Sequence, residues 1–110
     1  MLKDLKIGKR KEHKKKCYNS GKISGLPYNQ AYIKFETYDK YIEILGYKPV
    51  NPIKKGLKAS APYWAHIFYD ILLLIRCDAV FFQKDWKDSR GAKIENRFAV
   101  LFNKELYFEK

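Results

Sequence analysis

WKDSRGAKIE, residues 86–95, joins the apolar run of residues 78–82 to a pattern that is typical of a helix. A strand that passes through a polar, glycine-containing turn into the N-terminus of a helix is the place where open α/β sheets bind ligands. The stretch therefore predicts an α/β fold with a ligand site at this turn.

Glu95 lies on the apolar face of the helix that follows. With Ser89 as N-cap, a helix to about Asn103 has one face that is apolar except for Glu95. That face consists of Ala92, Glu95, Phe98, Ala99 and Phe102. Glu95 is not the acid of a capping box, because that acid would stand at position 92. Two interpretations stay open: a carboxylate at the edge of the stripe that reaches solvent or an arginine, or a buried functional carboxylate.

The composition indicates one folded domain. The 110 residues are 46% hydrophobic and 16% aromatic, and no apolar run approaches the roughly 20 residues that a membrane span needs. The charged N-terminus lacks the apolar stretch of a signal peptide. Cys17 and Cys77 are too few for a disulfide framework, and the sequence has no CxxC, no HExxH and no cluster of Cys and His. We therefore expect a cytoplasmic protein with no metal and no cofactor.

The net charge of +11 is concentrated near the N-terminus. Residues 1–16 carry eight Lys or Arg against two acids, and the remaining charge is spread over the rest of the chain. We interpret residues 1–15 as a flexible basic arm and residues 16–110 as the domain. The arm is either a solvated tail or a contact for an anionic partner, and nucleic acid is one partner that residues 3–16 could contact.

Four predicted strands alternate with three predicted helices along the chain. The strands are Lys16–Ser20, Tyr47–Val50, Asp78–Gln83 and Leu106–Glu109, and the helices run from Pro27 to about Leu45, from Pro62 to about Cys77 and from Ser89 to about Asn103. Residues 53–61 are predicted to be a loop. This order implies a parallel sheet with right-handed crossovers and helices on both faces, and we expect the strand order 2-1-3-4. The loops at residues 21–25 and 84–89 would then converge.

The second predicted helix is apolar nearly all round, so we expect a second copy of the chain to cover part of it. His66 and Asp70 lie four residues apart beside its main apolar stripe. Each is either an ordinary structural residue or part of a site. The loop at residues 20–25 is either a plain turn or a set of backbone N–H groups that holds an anion.

Four blocks of the sequence occur in an order and at a spacing that resemble a known family. They are SGKISGL at residues 20–26, Asn51-Pro52, Asp70 with CDAV at 77–80, and WKDSRGAKIE at 86–95. Together they resemble a small, largely uncharacterised bacterial and phage family related to the nucleoside 2-deoxyribosyltransferases, over about residues 16–110. Asn19 departs from the pattern, since the family usually has an apolar residue there.

The resemblance implies a three-layer, flavodoxin-like or Rossmann-like α/β fold. It also implies an N-glycosidase or deoxyribosyltransferase that cleaves the N-glycosidic bond of a deoxynucleoside or its 5′-monophosphate. Glu95 matches the nucleophile, and Asp70 matches an acid that handles the base or orients the nucleophile. Asp88 and Ser89 match the position that binds the 5′ end of the sugar. The other candidate substrate-binding residues are Lys22, Arg90 and the amides of Ser24 and Gly25 for a 5′-phosphate, Trp86 or Tyr18 for stacking on the base, and Gly21 and Gly91 in the two loops.

Two other functions stay open. The same fold could bind a nucleotide without turnover, as a sensor module. Alternatively, the basic arm could make this a nucleic-acid-associated protein, whose binding would then fall steeply with salt. For the first two functions the expected partner is a small-molecule nucleoside or nucleotide, in a homodimer or higher oligomer, and no membrane contact is expected.

Overall fold

The computed structural model describes residues 14–58 and 60–110 of the chain. Most of the predicted basic arm, residues 1–13, therefore lies outside the described residues. The described elements are β1 (Lys16–Ser20), α1 (Tyr28–Ile44), β2 (Lys48–Val50), α2 (Pro52–Lys55), α3 (Tyr63–Ile75), β3 (Ala79–Phe82), a 3-10 turn (Trp86–Asp88), α4 (Arg90–Leu101) and β4 (Glu105–Phe108).

The four strands form one parallel sheet in the order β2-β1-β3-β4, which confirms the predicted topology. The side chains of β1 and β3 alternate between the two faces of this sheet. The buried clusters include Cys17, Ile42, Ala79 and Phe81 on the α1 side, and Tyr18, Leu74, Val80, Phe82 and Ala99 on the side of α3 and α4. Successive residues of β1 therefore face different helices.

Local sequence signals mark the ends of the longer helices. Pro27 and Pro62 directly precede α1 and α3, and Gly46, with a φ of 97°, follows the end of α1. Ser89 caps α4, because its Oγ accepts a hydrogen bond from the backbone N–H of Ala92 at 3.1 Å. The three predicted helices are thus confirmed, with ends that differ by one or two residues.

The prediction of a loop over residues 53–61 is wrong at its start, where α2 forms one helical turn. The turn begins because Asn51 Oδ1 accepts a hydrogen bond from the N–H of Ile53 at 2.9 Å. Pro52 fits the first position of the turn, where a missing N–H costs nothing. The Asn-Pro pair therefore starts a helical turn as well as ending β2.

Apolar side chains remain exposed on α3. Trp64, Phe68 and Leu72, spaced four residues apart, are 71%, 63% and 42% exposed. This helix is the one for which the sequence predicts a second copy of the chain, and that assembly remains a prediction. No helix in residues 14–58 and 60–110 has the length and apolar character needed to cross a membrane.

Candidate active site

A cavity of about 330 Å³ lies at the carboxyl end of β1, between α3 and α4. The loop after β1, the start of α1, and α2 complete its walls. Its apolar lining includes Ile23, Leu26, Ile53, Leu57 and Ile67, and its polar lining includes Ser24, Tyr28, Tyr63, His66, Asp70, Ser89 and Glu95. Mostly apolar walls with a few converging polar groups are typical of a site for a small organic molecule.

Glu95 is buried at the inner end of this cavity and is fixed by two hydroxyl groups of β1. Its side chain is on α4, and the residue is only 5% exposed. The Tyr18 hydroxyl donates a hydrogen bond to Oε2, and the Ser20 hydroxyl donates one to Oε1, both at 2.7 Å. Because Tyr18 and Ser20 alternate along β1, both point to the face that α4 covers. Each carboxylate oxygen therefore has a fixed donor.

The surroundings of Glu95 act on its ionisation in opposite directions. Burial raises the pKa of Glu95 to about 7, while the hydrogen bonds from Ser20 and Tyr18 favour the ionised form and limit the rise. A carboxyl group with this pKa is available both as a carboxylate and as an acid near neutral pH.

Asp70 is the second buried carboxyl group on the wall of the cavity. It lies on α3 and is 8% exposed. Burial, and secondly the charge of Glu95, raise the pKa of Asp70 to about 8. Because two hydroxyl donors favour the ionised form of Glu95 and the charge of Glu95 disfavours ionisation of Asp70, a proton that the pair retains is expected on Asp70. Two carboxyl groups with different protonation states are the usual arrangement for a nucleophile and an acid.

The structure brings six of the candidate residues to the cavity wall. Besides the two carboxyl groups, these are Gly21, Ser24, Ser89 and Gly91. A Cβ on Gly21 would collide with the buried amide group of Gln83, so a larger residue at position 21 would require that amide to move. Ser89 and Gly91 place the start of α4 at the cavity. The two loops that the sequence predicts to converge therefore do meet here.

The structure places the other candidates away from the cavity wall. The N–H of Lys22 donates a hydrogen bond to Asp85, Gly25 occupies a turn with a φ of 86°, and Asp88 is exposed. Arg90 lies at the edge of the site, with its guanidinium 5.9 Å from the centre of the Tyr63 ring.

Neither aromatic candidate is placed to stack on a base. Trp86 packs against the rings of Phe82 and Phe108, with centroid distances of 5.1 and 5.6 Å, on the β4 side of the molecule. The ring of Tyr18 is completely buried beneath Glu95. Trp86 thus anchors its loop to the core, and Tyr18 holds a carboxylate.

Sequence reasoning did not place Ser20 in the site, and it left His66 open as either a structural residue or part of a site. Ser20 could have been found from the strand alternation, since it shares a face with Tyr18. For His66, the spacing of four residues before Asp70 indicates a shared helix face, and the structure adds that this face lines the cavity. In both cases the signal was weak until the partner element was known.

A second polar cluster lies on the α1 face of β1. The Asn19 amide donates to the Phe35 carbonyl at 3.0 Å and to Asp39 Oδ1 at 2.9 Å, and Asn19 Oδ1 accepts from Gln83 at 2.7 Å. Asn51 donates to Asp39 Oδ2 at 2.9 Å. Asn19, the departure from the family pattern, is therefore a fully buried hydrogen-bonding residue within a regular parallel strand.

Fold and site together define a small α/β protein with a parallel sheet and an acidic cavity at the carboxyl end of its central strand. Residues 15–108 match the family described as Domain of unknown function (DUF4406), and the chain belongs to this family. No curated protein matches the chain. In the described part of the chain, no group of three or more His, Cys, Asp or Glu side chains could hold a metal ion.

Among solved structures, the fold is similar to that of a 2-desoxiribosyltransferase from Leishmania mexicana, with a TM-score of 0.57 and 18% sequence identity. The similarity covers 86% of this chain and 63% of that one, so this chain spans less than two thirds of the solved protein. At this level of identity, the similarity establishes a shared fold. It agrees with the deoxyribosyltransferase-like fold that the sequence blocks imply.

Proposed function

We propose that this protein cleaves the N-glycosidic bond of a deoxynucleoside or a deoxynucleoside 5′-monophosphate, with Glu95 as nucleophile and Asp70 as acid. The observation that carries the proposal is the presence of two buried carboxyl groups on the wall of one cavity, both with a raised pKa. A carboxylate that is fixed by two donors is suited to attack, and a buried acid that retains its proton is suited to donate it.

In the first step, a carboxylate oxygen of Glu95 forms a bond to C1′ while the bond between C1′ and the base breaks. The electron pair of that bond goes to the base, which takes the proton of Asp70 and leaves as a neutral molecule. Asp70 is then an anion beside a glycosyl ester of Glu95.

In the second step, water attacks C1′, the ester bond breaks, and its electron pair returns to Glu95. Asp70 takes a proton from the water, so both carboxyl groups regain their starting states. If a second base attacks in place of water and gives its proton to Asp70, the product is a new nucleoside and the reaction is a transfer. The solved protein of similar fold is named for transfer of this sugar, which supports the choice of bond.

The 5′ end of the sugar is proposed to lie at the start of α4. Ser89 and Gly91 line the cavity there, and the N-terminal end of a helix favours groups that accept hydrogen bonds or carry negative charge. Both a 5′-hydroxyl and a 5′-phosphate meet this requirement, so the assay includes substrates of both kinds.

The test is the release of free base from a panel of deoxynucleosides and their 5′-monophosphates, with and without an added acceptor base, followed by chromatography. We expect release by the wild-type protein and a loss of at least about 10³-fold in kcat/KM for Glu95→Gln. Glu43→Gln, at an exposed glutamate of α1, is the matched control and should retain full activity. Equal release by Glu95→Gln would contradict the nucleophile, and no release from any substrate would favour a binding module.

The same assay should give a bell-shaped dependence of kcat/KM on pH. Glu95 must be ionised, so activity falls below its pKa of about 7, and Asp70 must be protonated, so activity falls above its pKa of about 8. The residual activity of Asp70→Asn should show no decrease in kcat/KM at alkaline pH. A profile without either limb would contradict the assignment of acid and nucleophile.

A further inference from the structure

His66 lies in the same cavity as the two carboxyl groups and has no part in the steps above. It is half-buried and lines the cavity from α3, four residues before Asp70. Residues four apart on a helix share a face and are about 6 Å apart along its axis. His66 therefore lies one turn from the proposed acid, on the same wall.

The direction of the reaction places the leaving base against that wall. A nucleophile attacks C1′ from the side opposite the bond that breaks, and Glu95 lies on α4. The base therefore departs toward α3, where Asp70 supplies its proton. The next polar side chain along α3 in the cavity wall is His66.

Tyr63 marks the outer end of the same wall. It lines the cavity one further turn toward the N-terminus of α3, is 47% exposed, and lies under the guanidinium of Arg90. His66 thus lies between the mouth of the cavity and the acid. A base whose inner end receives the proton of Asp70 extends past His66 toward this mouth.

We infer that His66 hydrogen-bonds to the edge of the leaving base and determines which base the cavity prefers. The inference rests on the proposed function, because it takes the position of the base from it. A neutral imidazole offers one donor nitrogen and one acceptor nitrogen, and the edges of the bases differ in their order of donors and acceptors. A base that lacks the matching atom leaves a half-buried nitrogen unpaired and binds less well.

The first experiment observes His66 directly and needs no turnover. The chain has two histidines, His13 and His66, so a sample labelled with ¹⁵N-histidine gives two sets of ring NMR signals. The set that is missing from the spectrum of His66→Gln belongs to His66. The probes are the four free bases of DNA and their deoxynucleosides. They are titrated into the Glu95→Gln protein, in which we expect no bond cleavage. We expect the ring signals of His66 to shift with at least one base, and those of His13 to remain in place.

The second experiment compares base preference by base release. In His66→Ala we expect the ratio of kcat/KM between the best and the second-best base to fall about tenfold or more, with an unchanged melting temperature. His66→Gln retains hydrogen-bonding atoms and should restore part of the preference. Lys40→Ala, at an exposed residue of α1 outside the cavity wall, is the control and should leave the preference unchanged.

The two experiments separate the inference from the proposed function. Base release that depends on Glu95, with an unchanged preference in His66→Ala and unmoved His66 signals, would overturn the inference and leave the proposed function intact. Shifts of the His66 signals without any base release would support base recognition by His66 in a protein that binds without turnover. Neither release nor shifts would overturn both.

Discussion

The two faces of the sheet bury carboxylates in different ways. On the α1 face, Asp39 accepts hydrogen bonds from the amides of Asn19 and Asn51, both at 2.9 Å. On the opposite face, Glu95 accepts hydrogen bonds from two hydroxyl groups of β1, both at 2.7 Å. β1 supplies donors to both carboxylates because successive side chains of a strand point to opposite faces.

The two carboxylates differ in their surroundings, because only one of them lines the cavity. The amides around Asp39 tie β1 and the start of α2 to α1, and this cluster does not line the cavity. Glu95 does line the cavity, which it shares with a second buried acid, Asp70. One carboxylate therefore holds three elements together. The other is held in an environment that opposes its charge, which is common at functional sites and costs stability.

The largest effect on stability should follow removal of the carboxylate on the α1 face. Asp39→Ala leaves the amides of Asn19 and Asn51 without their acceptor, which should lower the free energy of unfolding by about 4 kcal/mol. Urea denaturation measures the change, and Asp88→Ala, at an exposed aspartate, is the control. A loss below about 1 kcal/mol would show that the amides find other hydrogen-bond partners. In that case Asp39, like Glu95, would add little to the stability of the fold.

Removal of the Glu95 carboxylate should raise the free energy of unfolding, and the size of this increase should depend on pH. Because burial raises the pKa of Glu95 from 4.5 to about 7, the folded protein retains a proton that the unfolded chain releases. The free energy of unfolding therefore falls as the pH rises through this range. Glu95→Gln lacks this fall and should be more stable than the wild type by about 3 kcal/mol above about pH 8, with no such gain near pH 4.

Denaturant unfolding at both pH values checks this expectation. Asp70→Asn should show the same direction of change, because burial and the charge of Glu95 raise the pKa of Asp70 as well. A gain for Glu95→Gln that is equal at both pH values would mean that packing, and not titration, is its cause. That result would remove the main physical contrast between the two faces.

The smallest effect should come from Ser20→Ala, which removes one of the two donors to Glu95. Because the hydrogen bond from Ser20 favours the ionised form, its loss should move the acidic limb of the pH profile upward. We expect a decrease of about fivefold in kcat/KM near pH 7, and the decrease should become smaller as the pH rises toward the alkaline limb set by Asp70. Ser20→Thr, which retains a hydroxyl, is the conservative control. An unmoved limb in Ser20→Ala would show that Ser20 has no influence on the ionisation of Glu95.

Much of the fold could be predicted because its signals are local. The helix and strand patterns, the prolines before α1 and α3, and the cap at Ser89 act over a few residues. The alternation of strands and helices along the chain predicts the parallel sheet. The exception is α2, where Asn51-Pro52 can either end a strand or begin a helix. A dipeptide does not distinguish these outcomes.

The site was predicted less completely because its members are distant in sequence. Helical spacing places Glu95 on the apolar face of its helix but leaves its burial open, and its hydrogen-bond partners Tyr18 and Ser20 are 77 and 75 residues away. The placement of Trp86 depends on β4, which packs against it through Phe108. No spacing within one element encodes such contacts.

The sequence by itself determined the order of the elements, the parallel sheet and the apolar helix face on which Glu95 lies, because periodicity, end signals and the alternation of strands with helices act along the chain. Only the tertiary structure decided that β1 donates hydrogen bonds to Asp39 in a buried cluster on one face and to Glu95 on the wall of a cavity on the other face. It also decided that His66 shares a cavity with Asp70 and Glu95. The physical reason is that these contacts depend on how the helices pack across the sheet, and many residues on a helix face could have met the same strand.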